Sequence, residues 1–146
     1  MTPPQLRQRQ RILVVDDDHD NALVIKMILE CDGFEVDMFT DPKEALARFE
    51  PQKYTLAIID LRMKGIDGFE LYERFLEMDH RMKLCFISGY DYRDALAKFQ
   101  GKHSEILADC FLKKPLSIEG FMVMVKRLTR DTSAPSLPLE MQEQEN

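Results

Sequence analysis

Leu56-Ala57-Ile58-Ile59-Asp60 is the stretch on which the reading of this chain turns. An apolar run that stops abruptly at a carboxylate reads as a strand buried on both faces. Asp60 then stands at the strand's carboxyl end, the edge where open parallel α/β sheets bind ligands. Core packing gives no reason for an aspartate there. Three more apolar runs end in polar residues. Ile12-Leu13-Val14-Val15 leads into Asp16-Asp17-Asp18, Leu84-Cys85-Phe86-Ile87 into Ser88, and Cys110-Phe111-Leu112 into Lys113-Lys114-Pro115. These ends are expected to converge on one site centred on Asp60.

The totals bound what such a site can serve. At 146 residues the chain suits one domain with a proper core. A hydrophobic content of 45% with 32% charged residues describes an ordinary soluble protein. The net charge of −6 argues against nonspecific nucleic-acid binding. No apolar run approaches a membrane span. Residues 1–10 lack the apolar core of a secretory signal, so a cytoplasmic location is expected. Cys31, Cys85 and Cys110 each lie in an apolar run with no CxxC pair, which reads as reduced core thiols.

Strand and helix patterns alternate along the chain. Residues 1–10, with Pro3-Pro4, read as a flexible arm. A strand over 11–15 precedes a helix over 20–31. That helix has Val24, Met27, Ile28 and Cys31 on one stripe, with Ala22, Ile25 and Leu29 beside it, and Gly33 as its stop. The alternation over 34–38 predicts a half-exposed edge strand. Asp41, Pro42 and Glu44 predict a helix start with a capping box, and Ala45, Leu46 and Phe49 the inner face. The central strand is expected over 54–60. A helix capped by Asp67 follows to 78, with Phe69, Tyr72 and Leu76 on one stripe and Leu71, Phe75 and Met78 on another. Strands over 83–88 and 109–112 flank a helix over 92–99 and a turn over 104–108. Ser117 caps the last helix, whose stripe is Ile118, Phe121, Met122, Val125 and Leu128. Residues 131–146 read as a disordered acidic tail.

Five such alternations predict an α/β fold, a five-stranded parallel sheet doubly wound by helices in the flavodoxin-like order 2-1-3-4-5. That order sets strands one and three side by side and puts Asp16, Asp17 and Asp60 in one crevice. Three neighbouring carboxylates repel one another, and a divalent cation relieves the repulsion. Oxygen-only ligands suit Mg²⁺ or Mn²⁺. Lys114 adds a mobile ammonium and Ser88 a hydroxyl. Carboxylate nucleophile, cation, lysine and hydroxyl together are the apparatus for placing a phosphoryl group on Asp60.

The residues Ile12-Leu13-Val14-Val15-Asp16-Asp17-Asp18, Ile59-Asp60-Leu61-Arg62-Met63, Asp67-Gly68, Ile87-Ser88-Gly89 and Lys114-Pro115 resemble the receiver (phosphoacceptor) domain of two-component response regulators. The likeness spans about residues 11–130. It implies Asp60 as the phosphorylated aspartate and Asp17 as a direct Mg²⁺ ligand. Asp16 would act directly or through water, and the backbone carbonyl of Arg62 would be a further ligand. It also implies Ser88 as the hydroxyl that turns toward the phosphate and Lys114 as the lysine that pairs with it, with a cis bond before Pro115. Phe111 falls at the aromatic switch position, or is plain core. Lys114 is preferred to Lys113 because it directly precedes Pro115 and adjacent strand residues face opposite ways.

The chain departs from the resembled pattern in places. Lys64 stands where a proline is usual. The stretch from Ser88 to Lys114 is longer than usual and carries Ile106-Leu107-Ala108-Asp109 in place of Gly-Ala. Arg62 and Tyr90 lie two residues beyond Asp60 and Ser88, where side chains tune how long the phosphoryl group lasts.

The leading expectation is a stand-alone receiver, since residues 131–146 are too short and polar to fold. A sensor histidine kinase or phosphotransfer protein would feed it, in a two-component system or phosphorelay. Its output would be contact between a downstream protein and the face formed by the helix after strand four, strand five and the last helix. It would be a monomer or weak dimer and no enzyme beyond its own phosphorylation and dephosphorylation. The alternatives are a Mg²⁺-dependent phosphatase with an aspartyl-phosphate intermediate, or a phosphorylation-independent interaction module. Against the phosphatase, Arg62 occupies the place where such enzymes want an acid. No GxGxxG follows the first strand, and nothing supports DNA binding.

Overall fold

The computed structural model describes residues 9–89 and 110–130. The expected helix over 92–99, the turn over 104–108, Tyr90 and the tail lie outside the described residues. β1 (Arg11–Val15), β2 (Glu35–Phe39), β3 (Leu56–Asp60), β4 (Lys83–Ser88) and β5 (Cys110–Lys113) form one sheet in the order β2-β1-β3-β4-β5. All neighbours are parallel. The described helices are α1 (His19–Cys31), α2 (Pro42–Arg48), α3 (Gly68–Met78) and α4 (Ile118–Arg130).

The sheet is covered on both faces, so its central strands carry no polar alternation. Leu13, Val15, Ala57, Ile59, Leu84 and Phe86 face one core, closed by Ala45 and Phe49 of the α2 region and by Phe69, Leu71, Tyr72 and Phe75 of α3. Ile12, Val14, Leu56, Ile58, Cys85 and Ile87 face the other, closed by α1 and α4. All five residues of β3 are buried, Asp60 included.

Helix ends follow their local chemistry. Asp18 caps α1, its side chain accepting from the amides of Asp20 and Asn21. The third acid of the Asp16-Asp17-Asp18 run is therefore a cap. Gly33, at φ 94°, ends α1 by donating to the Glu30 carbonyl at 3.0 Å, in the left-handed conformation glycine adopts without strain. The Gly120 amide donates to Ser117 Oγ at 3.2 Å, the expected cap of α4.

Several expectations need correction. α1 buries Ala22, Ile25 and Leu29 and leaves Val24 and Met27 more than half exposed, at 54% and 56%. Both stripes are apolar, but Ala22 has the smaller side chain and lets the helix lie close to the sheet. Cys31 is exposed at the end of the wrong stripe and is no core thiol, whereas Cys85 is buried. Ile118 points outward and Thr129 is buried in its stead, its hydroxyl satisfied by the Val125 carbonyl at 2.8 Å. Met78 is also exposed. Asp41 caps α2 through the Lys43 amide, but Glu44 pairs with Arg48 across 3.4 Å. β2 starts one residue later than expected, and β5 runs on through Lys113. Gln10, placed in the arm by its sequence, donates to the Thr129 carbonyl at 3.0 Å.

β3 starts at Leu56, two residues beyond the buried Tyr54. Its hydroxyl donates to Asp37 at 2.7 Å, and Asp37 also meets Arg11 at 2.7 Å. Burial would raise the Asp37 carboxyl, but the Tyr54 hydroxyl and the Arg11 and Lys53 cations outweigh it and hold it below its ordinary value.

Candidate functional site

The strand order reverses between β1 and β3, which opens a crevice beyond their carboxyl ends. Asp16 follows β1 and Asp60 ends β3, and both are buried, at 1% and 5% exposure. Asp17 lies beside them and is exposed. One carboxylate oxygen from each of the three lies within 4.8 Å of the others. Lys114, just past β5, brings its Nζ to 3.3 Å from Asp60 Oδ2 and 3.5 Å from Asp16 Oδ2. Lys113 is exposed on β5. Ser88, fully buried at the end of β4, accepts at its carbonyl from the Lys114 amide at 2.7 Å. The Lys114–Pro115 peptide is cis. Phe111 is partly buried against the α2/α3 core. Arg62 is exposed, and its amide donates to Asp60 Oδ1 at 3.2 Å.

The electrostatics are unbalanced. Burial, aided by the Asp60 charge, pushes the Asp16 carboxyl up from 3.8 to about 7, against the pull of the Asp18 amide and of Lys114. Burial alone would lower the Lys114 ammonium, but Asp60 and Asp16 overcome it and raise its pKa. Asp16 Oδ1 accepts from the Asp18 amide at 3.0 Å. Asp16 Oδ2 is buried and takes no hydrogen bond, with the Lys114 ammonium 3.5 Å away as its ion-pair partner. One ammonium, paired with Asp60 and Asp16, stands against a cluster of three carboxylates. Hard oxygen donors with uncompensated negative charge fit a hard divalent cation.

Gly68 plays a part that the Asp67-Gly68 motif alone did not reveal. A Cβ there would lie 2.6 Å from the Asp60 carbonyl oxygen and 2.8 Å from Leu61 Cα. Both are backbone atoms, so only glycine lets α3 start this close to the end of β3. Gly68→Ala is expected to destabilise the fold by about 1–3 kcal/mol through overpacking, read as a lower urea or thermal midpoint. An unchanged midpoint would show that α3 can draw back freely.

A family model described as the response regulator receiver domain matches residues 12–126. The chain belongs to that family. This receiver is 28% identical over 130 residues to the transcriptional regulatory protein TrcR of Mycobacterium tuberculosis, covering 89% of the chain and 49% of TrcR. It is 31% identical over 117 residues to the sensor protein EvgS of Escherichia coli, covering 80% of the chain and 9% of EvgS. The receiver thus spans about half or less of the length of these curated relatives. Among solved structures, the CheY-like receiver of Methanospirillum hungatei has a TM-score of 0.72 at 27% identity, covering 95% of this chain and 100% of that one. The response regulator protein TrrA of Thermotoga maritima, in complex with Mg²⁺–BeF, has a TM-score of 0.66 at 28% identity, covering 82% and 98%. Receiver domains of two-component systems bind Mg²⁺ at an acidic pocket, and they work between histidine kinases or phosphotransfer proteins and downstream effectors. No described helix is long and apolar enough to cross a membrane.

Proposed function

We propose that this receiver takes a phosphoryl group onto Asp60 from a histidine kinase or phosphotransfer protein, and that the modified domain binds a partner protein differently. The observation that carries this reading is the position of Lys114 Nζ, 3.3 Å from Asp60 Oδ2 at the rim of a three-carboxylate cluster. Asp16, Asp17, Asp60 and the Arg62 carbonyl would hold Mg²⁺, or Mn²⁺ in its place. When bound, the cation neutralises the acidic cluster and draws charge from phosphoryl oxygens.

The chain's own groups do the rest. An Asp60 carboxylate oxygen attacks phosphorus, and the bond from phosphorus to the donor nitrogen breaks. Lys114 meets a phosphoryl oxygen as a point charge. The Ser88 hydroxyl donates to another. Ser88 and Lys114 are joined through the Lys114 amide, so movement of one is passed to the other. β4 and β5 also pair Phe86 with Phe111, which carries that movement into β5. The domain performs only its own phosphorylation and dephosphorylation.

Lys114→Ala is expected to slow phosphorylation by acetyl phosphate at least about tenfold, followed by intact mass. Lys113→Ala should leave the rate near wild type. The opposite pattern would assign the role to Lys113.

Arg62 and Tyr90 are proposed to shield the acyl phosphate from water and so lengthen its life. Loss of the phosphoryl mass with time should be faster, by about threefold or more, in Arg62→Ala and Tyr90→Ala. Equal or slower loss in both variants rejects the shielding role.

A further inference from the structure

Asp17 differs from the other two acids in one respect that matters for binding an ion. Asp16 and Asp60 are held by burial, whereas Asp17 is exposed. An exposed carboxylate must be ordered before it can serve as a ligand, and that ordering has an entropic cost. Among the described residues, one hydrogen bond restrains the Asp17 side chain. The backbone amide of Lys64 donates to Asp17 Oδ2 at 3.2 Å, from 47 positions further along the chain.

We infer that the Lys64 amide is a positioning group for the cation. By holding one oxygen of Asp17, it leaves the other to face Asp16 and Asp60. The inference rests on the proposed function, since it takes Asp17 as a ligand.

The loop after β3 acts on two acids at once. The Arg62 amide holds Asp60 Oδ1 at 3.2 Å, and two residues later the Lys64 amide holds Asp17. The loop that supplies the Arg62 carbonyl is thereby tied to the loop after β1 before any ion arrives. Outer partners of this kind align ligands and raise affinity. Residue type decides whether the tie exists. A proline at position 64, usual in the resembled family, has no N–H to give, and lysine has one. The lysine side chain itself works the other way, because an ammonium near the crevice repels a dication.

Calorimetric titration with Mg²⁺ alone, without a phosphodonor, separates these effects. Lys64→Pro is expected to weaken Mg²⁺ binding at least about tenfold, the loss of one hydrogen bond to a charged group. Lys64→Ala keeps the amide, loses the ammonium, and should bind at least as tightly as the wild type. If Lys64→Pro binds as tightly as Lys64→Ala, the inference is overturned. If the wild type binds Mg²⁺ but Asp17→Asn binds it equally well, Asp17 is no ligand. The metal assignment then fails, and the inference with it. Should Lys64→Pro not fold, hydrogen exchange of the Lys64 amide in Mg²⁺-free protein decides the point. Protection at least about tenfold over a free amide in the wild type, lost in Asp17→Ala, supports the inference. An unprotected amide in the wild type overturns it.

Discussion

Asp60→Asn, incubated with acetyl phosphate and Mg²⁺, is expected to gain no phosphoryl mass, a fall in rate of at least about a thousandfold for loss of the nucleophile. The carboxamide keeps the shape of the aspartate and loses the charge that attacks phosphorus. Asp60 is 5% exposed, and its side chain touches Lys114 Nζ at 3.3 Å and the Arg62 amide at 3.2 Å. An amide oxygen can still accept from either, so the domain should remain folded. Asp16 loses a like-charged neighbour in this variant, which removes one of the causes that raise it. A phosphoryl adduct of wild-type yield on Asp60→Asn would place the acceptor on another residue, and Asp17 would be the first to examine.

Asp16→Asn is the second large effect, and it runs toward stability. In the folded chain burial raises the Asp16 carboxyl from 3.8 to about 7. A raised carboxyl means that the folded state holds a proton which the unfolded state has released. Its contribution is therefore fully present below pH 3.8 and is lost as pH rises through about 7. At pH 8 without divalent cation, the buried charge opposes folding by at most about 4 kcal/mol. Removing it in Asp16→Asn also weakens the hold on Lys114, which lies 3.5 Å away. The expected net gain is about 2 kcal/mol at pH 8, or a rise in thermal midpoint of roughly 5 °C. The gain should shrink toward zero near pH 4. Mg²⁺ should raise the midpoint of the wild type and leave that of the variant nearly unmoved, since binding to the folded state alone stabilises it. A variant no more stable than wild type at pH 8, with a wild-type midpoint flat from pH 5 to 8, would contradict this account.

The two effects together describe a site that opposes its own fold. An acidic cluster good at holding a dication is, without one, a cluster of repelling and poorly solvated charges. Function and metal-free stability pull Asp16 in opposite directions.

Much of this was legible in the residues. Strand ends gave themselves away because an apolar run has no packing reason to finish in Asp60, Ser88 or Lys114. The order of the sheet followed from strand–helix alternation and the handedness of crossovers. Asp16, Asp17, Asp60 and Lys114, named from strand-end position and motif, do come together in space. Strand alternation put Lys113 and Lys114 on opposite faces and the adjoining Pro115 favoured Lys114, which is the lysine that meets Asp16 and Asp60. Helix faces were less legible. On α1 two apolar stripes lie side by side, and hydrophobicity cannot rank Val24 and Met27 below Ala22 and Ile25. Hydrophobic pattern also missed Gln10, whose contact with Thr129 links residues 119 positions apart.

What the sequence determined by itself is the architecture and the cast of the site, because periodicity and strand-end chemistry are local properties of the chain. What only the tertiary structure decided are the relations between residues far apart. These are the closeness of Gly68 to the Asp60 backbone, the burial of Asp16 beside Asp60, the raised carboxyl that results, and the Lys64 amide on Asp17. Each depends on how closely two loops or elements approach, and that distance is set by packing summed over the whole core.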